Sequence, residues 1–96
     1  MIVEIQCLPS PAGIPENPHA HIEEAIALIQ DSGLHYEVGP LGSTFEGEPG
    51  QVWSLLRRVH EAVLSAGAAS TVSVVKIAQG SGESARTMDS LTHKFR

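Results

Sequence analysis

The sequence predicts a small α+β domain in which four strands and two helices follow one another as β-α-β-β-α-β. Three observations carry that prediction. Strand-type stretches open the chain and recur at three later places. Two apolar stripes of helical period stand between them. Glycine or proline marks most of the junctions. Two crossover units sharing one sheet give a ferredoxin-like sandwich, an antiparallel sheet of order 4-1-3-2 with both helices on one face. The 96 residues suit a single domain.

Each element has its own signal. Ile2 to Leu8 reads as the first strand, with Val3, Ile5 and Cys7 on one side and Glu4 and Gln6 on the other. Pro9 to Pro15 breaks regular structure. Asn17 before Pro18 has the form of a helix cap followed by proline at the first helical position. Ile22, Ala25, Ile26 and Ile29 make the stripe of that helix, and Gly33 ends it. In Leu34 to Val38, Leu34, Tyr36 and Val38 alternate with His35 and Glu37. Gly39 to Gly42 is a tight connection into a short third strand, Ser43 to Glu46, with Phe45 inward. After Gly47-Glu48-Pro49, the residues Val52, Leu55, Leu56, Val59, Val63 and Ala66 form the second stripe, closed by Gly67. Thr71 to Ile77 is the fourth strand, and Gly80-Ser81-Gly82 reads as a flexible loop. The polar segment from Arg86 to Arg96 has no clear period. Residues 83–96 suit a short edge strand, a partner-binding arm or a frayed tail.

Composition narrows the function. Hydrophobic residues make up 42% of the chain, enough for a globular core. A chain this short buries only about 65% of its unfolded surface, so association between copies is a natural supplement. No apolar run approaches the roughly 20 residues that cross a bilayer, and Met1 to Leu8 lacks a basic leader pattern. The lone Cys7 forms no internal disulfide and suits a reducing compartment, so the expected location is the cytoplasm. A net charge of −5 disfavours nucleic acid and mildly favours a cationic partner.

The predicted architecture leaves one sheet face without helices. Strand parity sends Glu4, Gln6, His35, Glu37, Thr44, Glu46 and Lys76 to that face, together with Ile2, Leu8, Val72 and Val74. Strands one and three are neighbours, so Gln6, Thr44 and Glu46 are expected to converge at spacings of roughly 5 Å. The plainest explanation is a sheet facing water. An apolar floor with a few polar groups also fits a ligand pocket or a subunit surface. Glycines on both sides of the third strand permit close approach of a ligand or another backbone.

Several stretches, in order, resemble a known family. They are Ile5 to Pro9; Ser32-Gly33-Leu34-His35-Tyr36-Glu37; Pro40-Leu41-Gly42-Ser43-Thr44-Phe45-Glu46-Gly47; His60-Glu61-Ala62-Val63 followed by Ala66-Gly67-Ala68; and Val74-Val75-Lys76-Ile77. Together they are similar to the small thiamine-binding proteins of the MTH1187/YkoF-like superfamily, the DUF77 or UPF0045 group, over most of residues 2 to 90. The resemblance implies the same ferredoxin-like fold, pairing of subunits through their sheets into dimers or tetramers, and binding of thiamine or its hydroxymethylpyrimidine half without catalysis or cofactor. An aminopyrimidine offers an amino donor and ring nitrogens that a carboxylate can engage. The ligand-binding candidates are Glu46 and Glu4, with Gln6, Ser43 and Thr44 as neutral partners and Lys76 beside them. Tyr36, His35 or Phe45 would stack on the cationic thiazolium. The chain departs from the family pattern in its Pro-rich loop with His19 and His21, and in Ala78-Gln79-Gly80-Ser81-Gly82 after the fourth strand.

Other chemistry finds little support. His19 and His21, two apart, share no helix face, and no third ligand completes a metal site; they read as surface histidines. Arg57 and Arg58 read as a solvated face, while Trp53 and His60 suit a helix edge or a subunit contact. No nucleophile elbow surrounds a serine or Cys7, and Gly80-Ser81-Gly82 lacks a phosphate-loop lysine. An RNA-recognition domain would expose aromatics where Glu4, Gln6, Thr44 and Glu46 stand. An acylphosphatase-like enzyme would need an arginine between Pro9 and Pro15, where none occurs. The remaining alternative is an oligomeric scaffold or regulator whose helix-free face is simply a subunit interface.

Overall fold

A computed structural model describes all residues from Met1 to Arg96. The elements are β1 (Ile2–Ser10), α1 (Ala20–Gln30), β2 (His35–Val38), β3 (Ser43–Glu46), α2 (Pro49–Ala66), β4 (Ser70–Ala78) and α3 (Met88–Thr92). The sheet runs β2-β3-β1-β4, the predicted order read from its other edge, and every pair is antiparallel.

Register assigns each strand residue to a face. Val3 stands between Phe45 and Ile77, and Ile5 between Ser43 and Val75, on the side that carries the helices. From α1, Ala25 and Ile29 reach this layer; from α2, Val52, Leu55, Val59 and Val63 do so at spacings of three and four. These residues with Val3, Ile5 and Phe45 form the core. The predicted α1 stripe therefore divides. Ala25 and Ile29 are buried, whereas Ile22 and Ile26 stay half-buried at the edge of the layer.

Two local expectations are corrected. Helix α1 begins at Ala20, not Pro18, with His19 at its cap position. Asn17 is engaged one step earlier: its main chain exchanges hydrogen bonds with Ile14, and its side-chain oxygen accepts from the His19 N–H at 3.2 Å. His21 is not a surface residue. It is buried, and its Nδ1 lies 2.8 Å from the Pro11 carbonyl. A carbonyl only accepts, so that nitrogen carries the proton.

The C-terminal segment is neither strand nor frayed tail. Thr87 and Ser90 form a reciprocal capping box that starts α3, and Met88 is buried. The Met88 N–H donates to a Glu46 carboxylate oxygen at 2.7 Å, and Arg96 pairs with Glu37. Both acids belong to the helix-free face, so the segment is tied down across the β2-β3 side of it.

Candidate functional site

The helix-free face has the side chains that parity assigned to it, but its three acids are already engaged. Glu4 stands opposite Thr44 on one neighbour and Lys76 on the other, with Lys76 Nζ 3.6 Å from its carboxylate. Glu46 caps α3, and Glu37 holds Arg96. Gln6 and Glu46 share the face without converging. Glu46 pairs with Ile2, and Gln6 lies about 13 Å further along β1 at the usual rise per residue. Tyr36 pairs with Phe45, and Ser43 with Ile5, so these two candidates occupy the opposite, helix-bearing side. The expected set is thus split by the sheet: Glu4, Gln6, Thr44, Glu46 and Lys76 on one face, Tyr36 and Ser43 on the other.

Gln6 and Ser43 meet instead at a cleft of about 390 Å³. Three segments supply most of it. Helix α1 with its cap residue contributes His19, Ile22, Glu23 and Ile26; β1 contributes Ile5, Gln6, Cys7 and Leu8; the β2-β3 turn contributes Gly39 to Gly42. Nine of the sixteen lining residues are hydrophobic, and Gln6, His19, Glu23 and Ser43 are polar residues of the lining, Gln6 standing on the open strand edge with its side chain on the opposite face. Mostly apolar walls with a few polar groups are the general make-up of small-molecule sites, and the volume is of the usual order. Glu23 is exposed, and its one side-chain contact is Asn17 Nδ2 at 3.4 Å, so its carboxylate remains available at the rim.

Length mismatch creates the cleft. β1 has nine residues and β4 matches all of them, but β3 has four and pairs only with Ile2 to Ile5. The turn closed by Gly39 N–H to Gly42 C=O at 2.9 Å prevents β3 from starting earlier. Beyond Ile5, one edge of an interior strand has no neighbour, and α1 crosses above it.

A smaller polar chain lies near β4. His60 Nδ1 is 2.6 Å from Ser73 Oγ, which in turn is 3.9 Å from Cys7 Sγ. Burial pushes the Cys7 thiol above its ordinary pKa, only partly offset by the Ser73 contact, so the sulfur is held in its unreactive form. No group of three or more metal-ligating side chains is present. No helix is long and apolar enough to cross a membrane.

The family model described as thiamine-binding protein matches residues 3–96. The chain belongs to this thiamine-binding protein family. A UPF0045 protein of Clostridium perfringens is 30% identical over 94 residues, covering 98% of this chain and 95% of the relative. Among solved structures, the DUF77 domain of unknown function from Bacillus cereus superposes with a TM-score of 0.82 at 27% identity, covering 100% of this chain and 91% of that one. A Thermotoga maritima protein, described as a candidate for thiamine biosynthesis or salvage, gives 0.82 at 26% identity, with 99% and 97% coverage.

In this thiamine-binding family chain, His19, Ile22, Glu23 and Leu41 are among the cleft residues that the sequence did not assign to a site. One signal for them exists. The apolar stripe of α1 is wider than its core contact, and the surplus residues, Ile22 and Ile26, line the cleft.

Proposed function

We propose that this cleft binds thiamine or its hydroxymethylpyrimidine half without transforming it. The carrying observation is the meeting of apolar walls with Gln6, Ser43, His19 and Glu23 where β1 outruns β3. Ile22, Ile26 and Leu41 suit the faces of a flat ring, and the Glu23 carboxylate suits the positive thiazolium. The family to which the chain belongs supports the choice of ligand. Glu46 and Glu37, both engaged by the C-terminal segment, are better suited to holding α3 than to holding a ligand.

Thermal unfolding with and without thiamine or hydroxymethylpyrimidine tests the reading. Ligand at a hundred times its dissociation constant adds about 2.7 kcal/mol, which for a domain of this size raises Tm by roughly 10–20 °C. Ile22→Trp fills the cleft and is expected to abolish the rise, whereas Lys76→Ala on the other face leaves it intact. A rise that survives Ile22→Trp and disappears in Lys76→Ala returns the ligand to the helix-free face.

A separate observation favours self-association. Leu8, Val72 and Val74 are 48%, 63% and 48% exposed and share the part of the helix-free face that carries neither Glu46 nor Glu37. Burying this patch between two copies suits a dimer, with a tetramer as its extension, and would serve either the ligand-binding or the scaffold reading. Val74→Asp is expected to lower the mass measured by light scattering to that of a single chain. An unchanged mass places the contact elsewhere.

A further inference from the structure

The backbone of β1 identifies the atoms that would read a ligand in this cleft. Met1 and Gly47 exchange hydrogen bonds, from Met1 N to Gly47 O at 3.1 Å and from Gly47 N to Met1 O at 3.2 Å. Antiparallel pairing alternates, so the odd residues Met1, Val3, Ile5 and Cys7 aim their N–H and C=O groups toward β3. The even residues face β4, as the Ser10 carbonyl does in accepting from Ala69 N–H at 2.9 Å. Val3 and Ile5 meet Phe45 and Ser43. For Cys7 there is no strand residue opposite, because β3 begins at Ser43. The next odd residue is Pro9, which has no N–H. Cys7 is therefore the single residue of this open edge that presents both a donor and an acceptor, and it lines the cleft.

We propose that the cleft recognises a planar heterocycle carrying a donor beside an acceptor, which pairs with the Cys7 main chain in place of a missing β3 residue. An exocyclic amino group donates to the Cys7 carbonyl, and the adjacent ring nitrogen accepts from the Cys7 N–H. This rests on the cleft being the binding site and assigns the atoms that choose the ligand within it. A peptide strand suits the gap poorly. It would gain one residue's pair of bonds before reaching Pro9, whereas strand addition draws its affinity from several. The Cys7 side chain is not needed, since its sulfur turns toward Ser73.

Two arms test the proposal with thiamine as the probe. In the ¹⁵N-labelled protein, saturation is expected to move the Cys7 amide resonance downfield and slow its hydrogen exchange at least tenfold, alongside shifts at Ile22 and Leu41. In calorimetry, Cys7→Pro removes the donor without breaking a ladder bond, since proline is tolerated on an open strand edge. It is expected to weaken binding about tenfold or more relative to Cys7→Ala, which loses the same side chain and keeps the N–H, as loss of one such bond does. Hydroxymethylpyrimidine without its amino group is expected to lose a similar factor against the intact compound. Shifts at Ile22 and Leu41 with an unprotected Cys7 amide overturn the main-chain assignment and leave the cleft standing. So does a folded Cys7→Pro protein that binds as tightly as Cys7→Ala. Binding without any shift at Ile22 or Leu41 overturns both readings.

Discussion

The two sides of the sheet both carry acids near β1, and they use them differently. On the helix-free side, Glu46 accepts from the start of α3, Glu37 holds Arg96 and Glu4 pairs with Lys76. On the helix-bearing side, Glu23 has one long contact to Asn17 and stands at the rim of a partly apolar cleft. A polar group satisfied by its own chain stabilises the fold, and displacing its partner costs a ligand that contact first. Strand parity distinguishes faces, but what the rest of the chain lays over a face decides which of its groups are free.

The sharpest way to break this comparison is to loosen the C-terminal segment. Met88→Ala removes most of a buried side chain and is expected to cost about 2–3 kcal/mol in denaturant unfolding. Thiamine affinity should stay within about twofold. A large loss of affinity would make the segment part of the site. A smaller effect is expected from Glu46→Gln, which weakens a charge-assisted cap by about 1 kcal/mol and leaves the thiamine-induced rise in Tm unchanged. Loss of that rise in a folded protein would return the ligand to Glu46. The least effect is one of pH. Burial holds the Cys7 thiol above its ordinary pKa, so the unfolded chain ionises first. Stability from this group is complete below the unfolded thiol pKa and falls as pH rises through the folded one. Cys7→Ala is expected to flatten that alkaline decline in unfolding experiments. An unchanged slope would assign the decline to other groups.

Much of the architecture was legible because period and punctuation agree. The third strand was read to its observed ends from Gly42 to Gly47, and the faces of Glu4, Lys76, Leu8 and Val74 followed from alternation alone. The start of α1 was not, because Asn17-Pro18 has cap chemistry but serves the turn with Ile14. The role of α3 escaped because a five-residue helix has too few turns to show a period, and its anchor, Glu46, is 42 positions away in sequence. The cleft escaped for a related reason. Pro9 reads as a breaker, yet β1 continues through it to Ser10, and only the full length of β1 set against β3 reveals the uncovered edge. Tertiary register holds that information, not any local window.

The imidazole of His21 extends the cleft's dependence to distant residues. It bonds the Pro11 carbonyl on one side, and on the other its Nε2 would lie 3.0 Å from a β-carbon added at Gly67, the residue with φ +132° that ends α2. A methyl group at Gly67 would press on the ring that seats the Pro11 loop, the chain leading to His19. The loop that leads to His19 at the cleft is therefore braced from the far end of another helix, by a residue that lines no part of the cleft.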